Sequence, residues 1–312
     1  MAAPSLPLPR AIAEEELQYS KVTFWTRLRR HRLAIAGLVV LLVMVLAAAF
    51  AKQLAPFDPN AIDEVHWQGL PLPPCFQAAT ICGGHTLGTD EVGRDLVSRL
   101  LFGARISLTV GLFAVIMEVL IGATLGAIAG YYGGWVDYAL MRLTDVFLSI
   151  PLLPLLLVLT AIVAASSSKA ALSFGVIVVI IGALSWPPVA RLVRASFLSL
   201  REREFAEAAR AVGNSDGRII FRHLLPNAVA PIVVQATLDV ANVIILESTL
   251  SFLGLGIQPP TASWGNMLAN AQSNLQTAWW AAVFPGLCIL VTVLAINYIG
   301  DGLRDALDPN MR

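Results

Sequence analysis

Residues Ile106–Gly130 read ISLTVGLFAVIMEVLIGATLGAIAG, a run whose single charge is Glu118. A helix crosses about 30 Å of hydrocarbon with about 20 largely apolar residues, so this stretch is long enough to span a bilayer. It shows no polar–apolar alternation, which favours a helix over a barrel strand. Gly122, Gly126 and Gly130 repeat at four-residue spacing and predict tight packing on a neighbouring helix. Glu118 lies one turn before Gly122, on nearly the same face.

Five further segments have the same character: Leu33–Ala51, Val146–Ala165, Ala170–Ala190, Asn227–Leu246 and Ala278–Gly300, of which only Asn227–Leu246 carries a charge, Asp239. Ala49-Phe50-Ala51 resembles a signal-peptide cleavage site, but 32 residues precede the first span and its apolar run is longer than a signal core. An uncleaved anchor is expected. The composition agrees. Of 312 residues, 57% are hydrophobic and 13% charged, about half the usual quarter, with mean hydropathy +0.72. A soluble enzyme, a disordered tail and a nucleic-acid binder are poor fits, and a net charge of zero gives no basic field for nucleic acid. The expected fold is an all-α integral membrane protein with six transmembrane helices.

Basic residues set the orientation. Sixteen of the 21 fall before the first span, in Arg191–Pro226, at Arg142 or after the last span. By the positive-inside rule both termini and the 191–226 loop are cytoplasmic, and six spans put the termini on one side. The expected divisions are a cytoplasmic segment 1–32, a first span 33–51, an extracytoplasmic loop 52–105, a transmembrane core 106–300 and a cytoplasmic tail 301–312.

No G-x-x-x-x-G-K-[ST] phosphate loop exists, since none of Lys21, Lys52 and Lys169 follows a glycine. There is no H-E-x-x-H, and the four histidines are scattered, so no metal site is expected. A lone Ser166-x-x-Lys169 lacks partner motifs and reads as a turn. The energy for any uphill transport must come from a partner or an ion gradient.

Arg201–Val212 reads as a helix of strong formers stopped by Gly213. Asn214-Ser215-Asp216 supplies an N-cap, and Gly217–Leu225 reads as a second short helix ended by Pro226. Two such helices, with small alanines for close approach and Glu207, Arg218 and Arg222 for charged pairing, suit docking into a groove on another protein. A plain solvated loop is the simpler alternative. DNA binding is disfavoured, because two membrane helices anchor the loop near the bilayer.

At these residues the chain resembles a known family. Glu207-Ala208-Ala209, Gly213 and Leu225-Pro226 are similar to the EAA loop of ABC importer permeases. His223 stands where the general pattern has Ile, and Arg222-His-Leu-Leu-Pro-Asn227 resembles the peptide-permease version. Leu87-Gly-Thr-Asp-Glu-Val-Gly-Arg-Asp95, Gly103–Leu108, Gly130–Asp137 and Ser251–Pro260 extend the likeness to the dipeptide/oligopeptide/nickel permeases, DppC/OppC-like. The resemblance covers nearly the whole chain and departs from the family in Pro71–Gly84. It implies a bacterial inner-membrane complex of two homologous permeases, two ATPase subunits or domains and an extracytoplasmic solute-binding protein. It further implies an EAA coupling helix at Glu207–Gly213 inserted in a cleft of the ATPase. This chain then needs no cofactor and catalyses no covalent step; ATP and Mg are bound by the partner ATPases. Dipeptides or oligopeptides are the expected solutes, with glutathione, opines or nickel as alternatives. An ion-coupled secondary transporter is the rival of another class.

Three further groups invite roles. Asp90–Arg94 and Asp95–Arg99 are i,i+4 pairs beside apolar Leu96, Val97, Leu100 and Leu101, which predicts an interfacial helix. With Gly88, Thr89 and Gly93 it is either a lid or receiving surface for the binding protein, or structural support. Gln235, Asp239 and Asn242 form one polar stripe on the fifth span with Glu247 near its outer end, as pathway lining or as interhelical hydrogen bonding. The same choice applies to Glu118. Cys75 and Cys82 lie in an expected oxidising loop and are candidates for a disulfide, with a metal site using His66 and His85 as the weaker reading.

Overall fold

The computed structural model describes residues 29, 31–66, 69–78, 80, 82–166 and 173–307. Most of the 1–32 segment, the Ser166–Lys169 motif beyond its first residue, the start of the 170–190 span and the tail beyond Leu307 lie outside the described residues. The described chain is helical, and its only β pairing is two isolated bridges, Ile62–Arg94 and Thr89–Asp95. In chain order the helices are α1 (Arg32–Ala49), α2 (Ala51–Leu54), α3 (Leu96–Tyr132), α4 (Gly134–Ser149), α5 (Leu152–Ser166) and α6 (Phe174–Ser185). There follow α7 (Pro187–Leu200), α8 (Glu204–Ala211), α9 (Asp216–Phe252), α10 (Trp264–Ala271) and α11 (Trp280–Leu307).

Among the described residues α1, α3, α9 and α11 are each long and apolar enough to cross a membrane. The bent pairs α4–α5 and α6–α7 raise the number to six if each is one span. Here the uninterrupted spans expected at 146–165 and 170–190 need correction. The first breaks by 83° between α4 and α5. Pro151 disfavours the helical region for the residue before it, and Ile150 is extended at φ −94°, ψ 124°. The second bends by 44°, where Pro187 and Pro188 open α7 and supply no N–H to continue the α6 ladder.

A third correction concerns Pro226, which does not end a short helix. Ile219–Leu224 widens into a π-helical turn, in which the Leu225 N–H reaches Ile220 O, and the chain passes Pro226 without a break into the rest of α9. The expected interfacial helix over 90–99 is also corrected. Only its last residues are helical, because α3 starts at Leu96 with Asp95 as its N-cap. The 258–280 loop carries α10, opened by a capping box between Ser263 and Asn266.

α3 is the central helix and packs on α7, α6, α9 and α1. Its three spaced glycines face α7: a Cβ on Gly122 would lie 2.7 Å from Val189 Cβ, and one on Gly130 would lie 2.6 Å from Phe197 Cβ. Gly126 fits against the Ala190 carbonyl in the same way. Two helices that approach this closely gain van der Waals contact where lipid gives no hydrophobic drive. α11 pairs with α1 and α9, and α1 turns Leu38, Leu42 and Val43 outward as an exposed apolar face.

Candidate functional site

The loop between α7 and α9 presents α8 at one end of the molecule. Ala206 and Ala209 are buried in a cluster with Ala127 of α3, Val193 and Phe197 of α7, and Ile219 and Leu224 of α9. The opposite face, with Glu207, Ala208 and Arg210, is exposed. Gly213 takes φ +81°, and the Gly213 N–H donates to Arg210 O at 2.9 Å while the Asn214 N–H donates to Ala209 O at 3.2 Å. That pairing is a Schellman stop, which requires the left-handed conformation glycine adopts freely. Arg218 donates to Asn214 Oδ1 at 3.3 Å, Leu225 is half-buried, and Arg222 and Pro226 are exposed on the first turns of α9. Glu207, Ala208, Gly213, Arg218, Arg222 and Pro226 thus lie on an exposed surface, with Ala209 as its internal anchor.

This element is tied to the long helices. Arg201 Nη1 donates to Gly130 O and Tyr131 O at 3.1 and 3.2 Å, satisfying carbonyls at the C-terminal end of α3. Arg210 donates to Arg201 O at 2.9 Å, and the Tyr131 hydroxyl donates to Asp216 Oδ1 at 2.7 Å. The Arg194 guanidinium grips Asp137 at the start of α4.

Within the membrane-spanning part, α3, α6, α7, α9 and the α4–α5 break surround a cavity of about 510 Å³. Glu118 and Asp239 both line it. Gln235 Nε2 holds both oxygens of Asp239 at 3.0 Å, and Asn242 donates to Asp239 Oδ1 at 3.4 Å. The polar stripe therefore converges on Asp239. Glu247 does not join it. It is fully buried and accepts hydrogen bonds from Ser107 at 3.0 Å and Ser251 at 2.8 Å. Ser107 Oγ in turn accepts from the Trp264 N–H at 3.3 Å, so Glu247 fastens α10 to α3 and α9. The remaining walls, from Phe147, Pro151, Ser185 and Pro187, come from the two broken spans. Their signal in the sequence was the prolines inside otherwise uniform apolar runs.

The loop 52–95 is a clasp at the start of α3. Asp90 accepts from the Val92 and Arg94 N–H groups and from Arg94 Nε at 2.7 Å, and Arg99 Nε lies 3.2 Å away. Arg99 thus pairs with Asp90, in place of the expected Asp95. Asp95 accepts from the Ser98 N–H and hydroxyl at 2.7 Å each, and its other oxygen meets His85 Nδ1 at 2.9 Å. His85 Nε2 faces Asp63 at 3.2 Å, and His66 Nδ1 meets the same carboxylate at 2.8 Å. Gly88, at φ +82°, leaves no room for a Cβ, which would fall 2.5 Å from Leu72 O. Gly93 closes the tight turn at φ +85°. Thr89 bonds to Leu72 through both its backbone and its hydroxyl. Cys75 and Cys82 are joined by a disulfide. Thr89, Asp90, Arg94 and Asp95 are buried, so they support the surface of this loop and do not form it. Among the described residues no group of three or more His, Cys, Asp or Glu side chains is arranged to hold a metal.

With this geometry in place, the chain can be set beside known proteins. It matches the family described as binding-protein-dependent transport system inner membrane component over residues 122–312. Residues 22–74 match the N-terminal TM domain of oligopeptide transport permease C. The chain belongs to the binding-protein-dependent permease family. The dipeptide transport system permease protein DppC of Alkalihalophilus pseudofirmus is 41% identical over 98% of this chain and 96% of its own length. The glutathione transport system permease protein GsiD of Pectobacterium atrosepticum is 41% identical over 93% of this chain and 91% of its own. A solved structure of the MetNI methionine ABC transporter in an inward-facing conformation is similar with a TM-score of 0.55 at 18% identity. That likeness covers 67% of this chain and 96% of that one, and is a likeness of fold. As a member of this permease family the chain is a multi-pass inner-membrane protein working in an ABC import system that depends on a binding protein.

Proposed function

We propose that this permease is one of two homologous membrane subunits of an ATP-driven importer that takes dipeptides or oligopeptides from a solute-binding protein. Both termini and α8 lie in the cytoplasm, where the exposed face of α8 docks in a cleft of an ATPase subunit that binds ATP and Mg. The carrying observation is the likeness to a dipeptide permease at 41% identity over 98% of this chain. Mechanically, ATP-driven movement at α8 reaches the cavity walls through α3, α7 and α9, the helices in which α8 is anchored. Gln235, Asp239 and Asn242 line or order the pathway between the two openings.

The test is reconstitution of the chain with its partner permease, ATPases and binding protein in proteoliposomes. Vanadate-sensitive, ATP-dependent accumulation of labelled dipeptide is expected. Uptake of glutathione or nickel with no response to dipeptide would transfer the substrate to another branch, and uptake driven by an ion gradient without the ATPase would refute the ABC reading.

A further inference from the structure

The cavity holds a charge arrangement that identifies what it binds. Glu118 and Asp239 are 2% and 8% exposed and line the same cavity, yet among the described residues no Lys, Arg or His lines it. Asp239 is held in place from one side by Gln235 and Asn242, both through neutral amides. Glu118 Oε2 is buried and has no hydrogen-bond partner. Ser185 Oγ, also at the cavity, is buried and equally unpartnered. A buried carboxyl pair with an unused acceptor is unfavourable when ionised, and is relieved by a proton or, in its place, by a cation with several N–H donors. The rest of the described wall is Phe, Pro, Leu, Ile and Val, without a counter-charge for an anion. A volume of about 510 Å³ falls in the range of roughly 300–1,000 Å³ typical of small-molecule sites.

We propose that Glu118 and Asp239 form a receptor for the α-ammonium group of the peptide in transit, with the peptide side chains against the apolar wall. The inference rests on the import reading above and adds the group that is recognised. An ammonium donates three hydrogen bonds: Glu118 Oε2 takes one, and Asp239 and Ser185 Oγ offer the others. The peptide carboxylate has no basic partner among the described residues of this wall, so recognition is one-ended. That suits a carrier of peptides of varied length and side chain.

The test measures binding to the purified complex of this chain with its partner permease and ATPases, without the binding protein. Equilibrium dialysis compares radiolabelled alanyl-alanine with propionyl-alanine, which differs by the missing amino group. The wild-type complex is expected to hold alanyl-alanine roughly tenfold more tightly or better, the usual worth of a hydrogen bond to a charged group. The Glu118→Gln/Asp239→Asn double variant keeps shape and hydrogen bonding, and is expected to abolish the preference. Equal affinities in the wild type, binding of neither compound, or a preference that survives the double variant would each overturn the receptor. Competition by sodium or potassium with equal binding of both peptides would reassign the pair to an inorganic cation. If the double variant does not assemble, Glu118→Gln alone is read by the same criteria. Dipeptide uptake by wild-type proteoliposomes is scored separately: its absence strikes the import reading, whereas normal uptake without an amino-group preference strikes only the receptor.

Discussion

At the residue scale, Asp63 joins two histidines of the 52–95 clasp, and its ionisation ties that clasp to pH. Burial alone would raise its pKa, but hydrogen bonds from the His66 and Val65 N–H groups and the two imidazoles outweigh burial and hold it below the ordinary carboxylate value. A folded-state pKa lowered in this way adds stability above the unfolded value, near 4, which is lost as pH falls through the folded value. The Asp63 contribution is therefore complete at neutral pH and disappears only in acid below about pH 4. Hydrogen exchange in 57–66 and 82–95, corrected for intrinsic rates, should rise there in the wild type; in Asp63→Asn that acid-dependent step should be missing. Asp95→Ala should be harsher, since it removes the α3 N-cap together with the partner of His85 Nδ1. A loss of about 1–2 kcal/mol is expected, read as a lowered thermal midpoint of the purified complex. Unchanged unfolding would show that the cap contributes nothing. The same residues mark the limit of reading by spacing. Asp90–Arg94 was legible as a pair, but Arg99 turns to Asp90 because Gly88 and Gly93 fold the chain back before α3 begins, and side-chain periodicity carries no record of such a turn.

At the scale of elements, apolar runs locate the four unbroken spans α1, α3, α9 and α11, because lipid demands length and hydropathy together. They are blind to the loss of one N–H, so the breaks at Pro151 and Pro187 are signalled by those prolines alone, and the widened turn before Pro226 appears only in three dimensions. Those breaks also build the cavity, which explains why the stripe on α9 was legible and its opposite wall was not. The Gly122–Gly130 repeat carried further, since small residues at four-residue spacing have few other uses in a membrane helix. Gly126→Leu should force α3 away from the Ala190 carbonyl of α7 and lower the yield of assembled complex severalfold, measured by size-exclusion chromatography. Normal assembly would mean that the two helices part without penalty. For the Cys75–Cys82 bridge, which closes a short loop, about 2–3 kcal/mol of loop stabilisation is expected. Non-reducing mass spectrometry of fresh membranes should find the linked peptide, and free thiols at both positions would refute the bridge.

For the whole molecule, the proposed coupling requires that movement at the α8 surface reach the cavity. α8 shares its buried cluster with α3, α7 and α9, and the same three helices carry Glu118, Pro187 and Asp239 into the cavity. From Tyr131 to Glu118 is 13 residues of uninterrupted helix, about 20 Å at 1.5 Å per residue. A continuous helix transmits a tilt over that length without a break at which the motion would be lost. The exposed face at Glu207 and Ala208 was legible from its motif; the ties that fasten it to α3 were not, because Tyr131, Arg201 and Asp216 are far apart in sequence and none stands out alone. Two substitutions separate docking from transmission. Ala208→Trp fills exposed space on α8 while leaving Ala206 and Ala209 packed, so the chain should insert and assemble its helices normally but lose the ATPase from the purified complex. Tyr131→Phe removes only the hydroxyl that reaches Asp216. The ATPase should then stay bound and hydrolyse ATP, with dipeptide uptake per ATP reduced severalfold. If both variants import at the wild-type ratio of peptide to ATP, α8 is neither the docking element nor the lever, and the coupling path must run elsewhere in the complex.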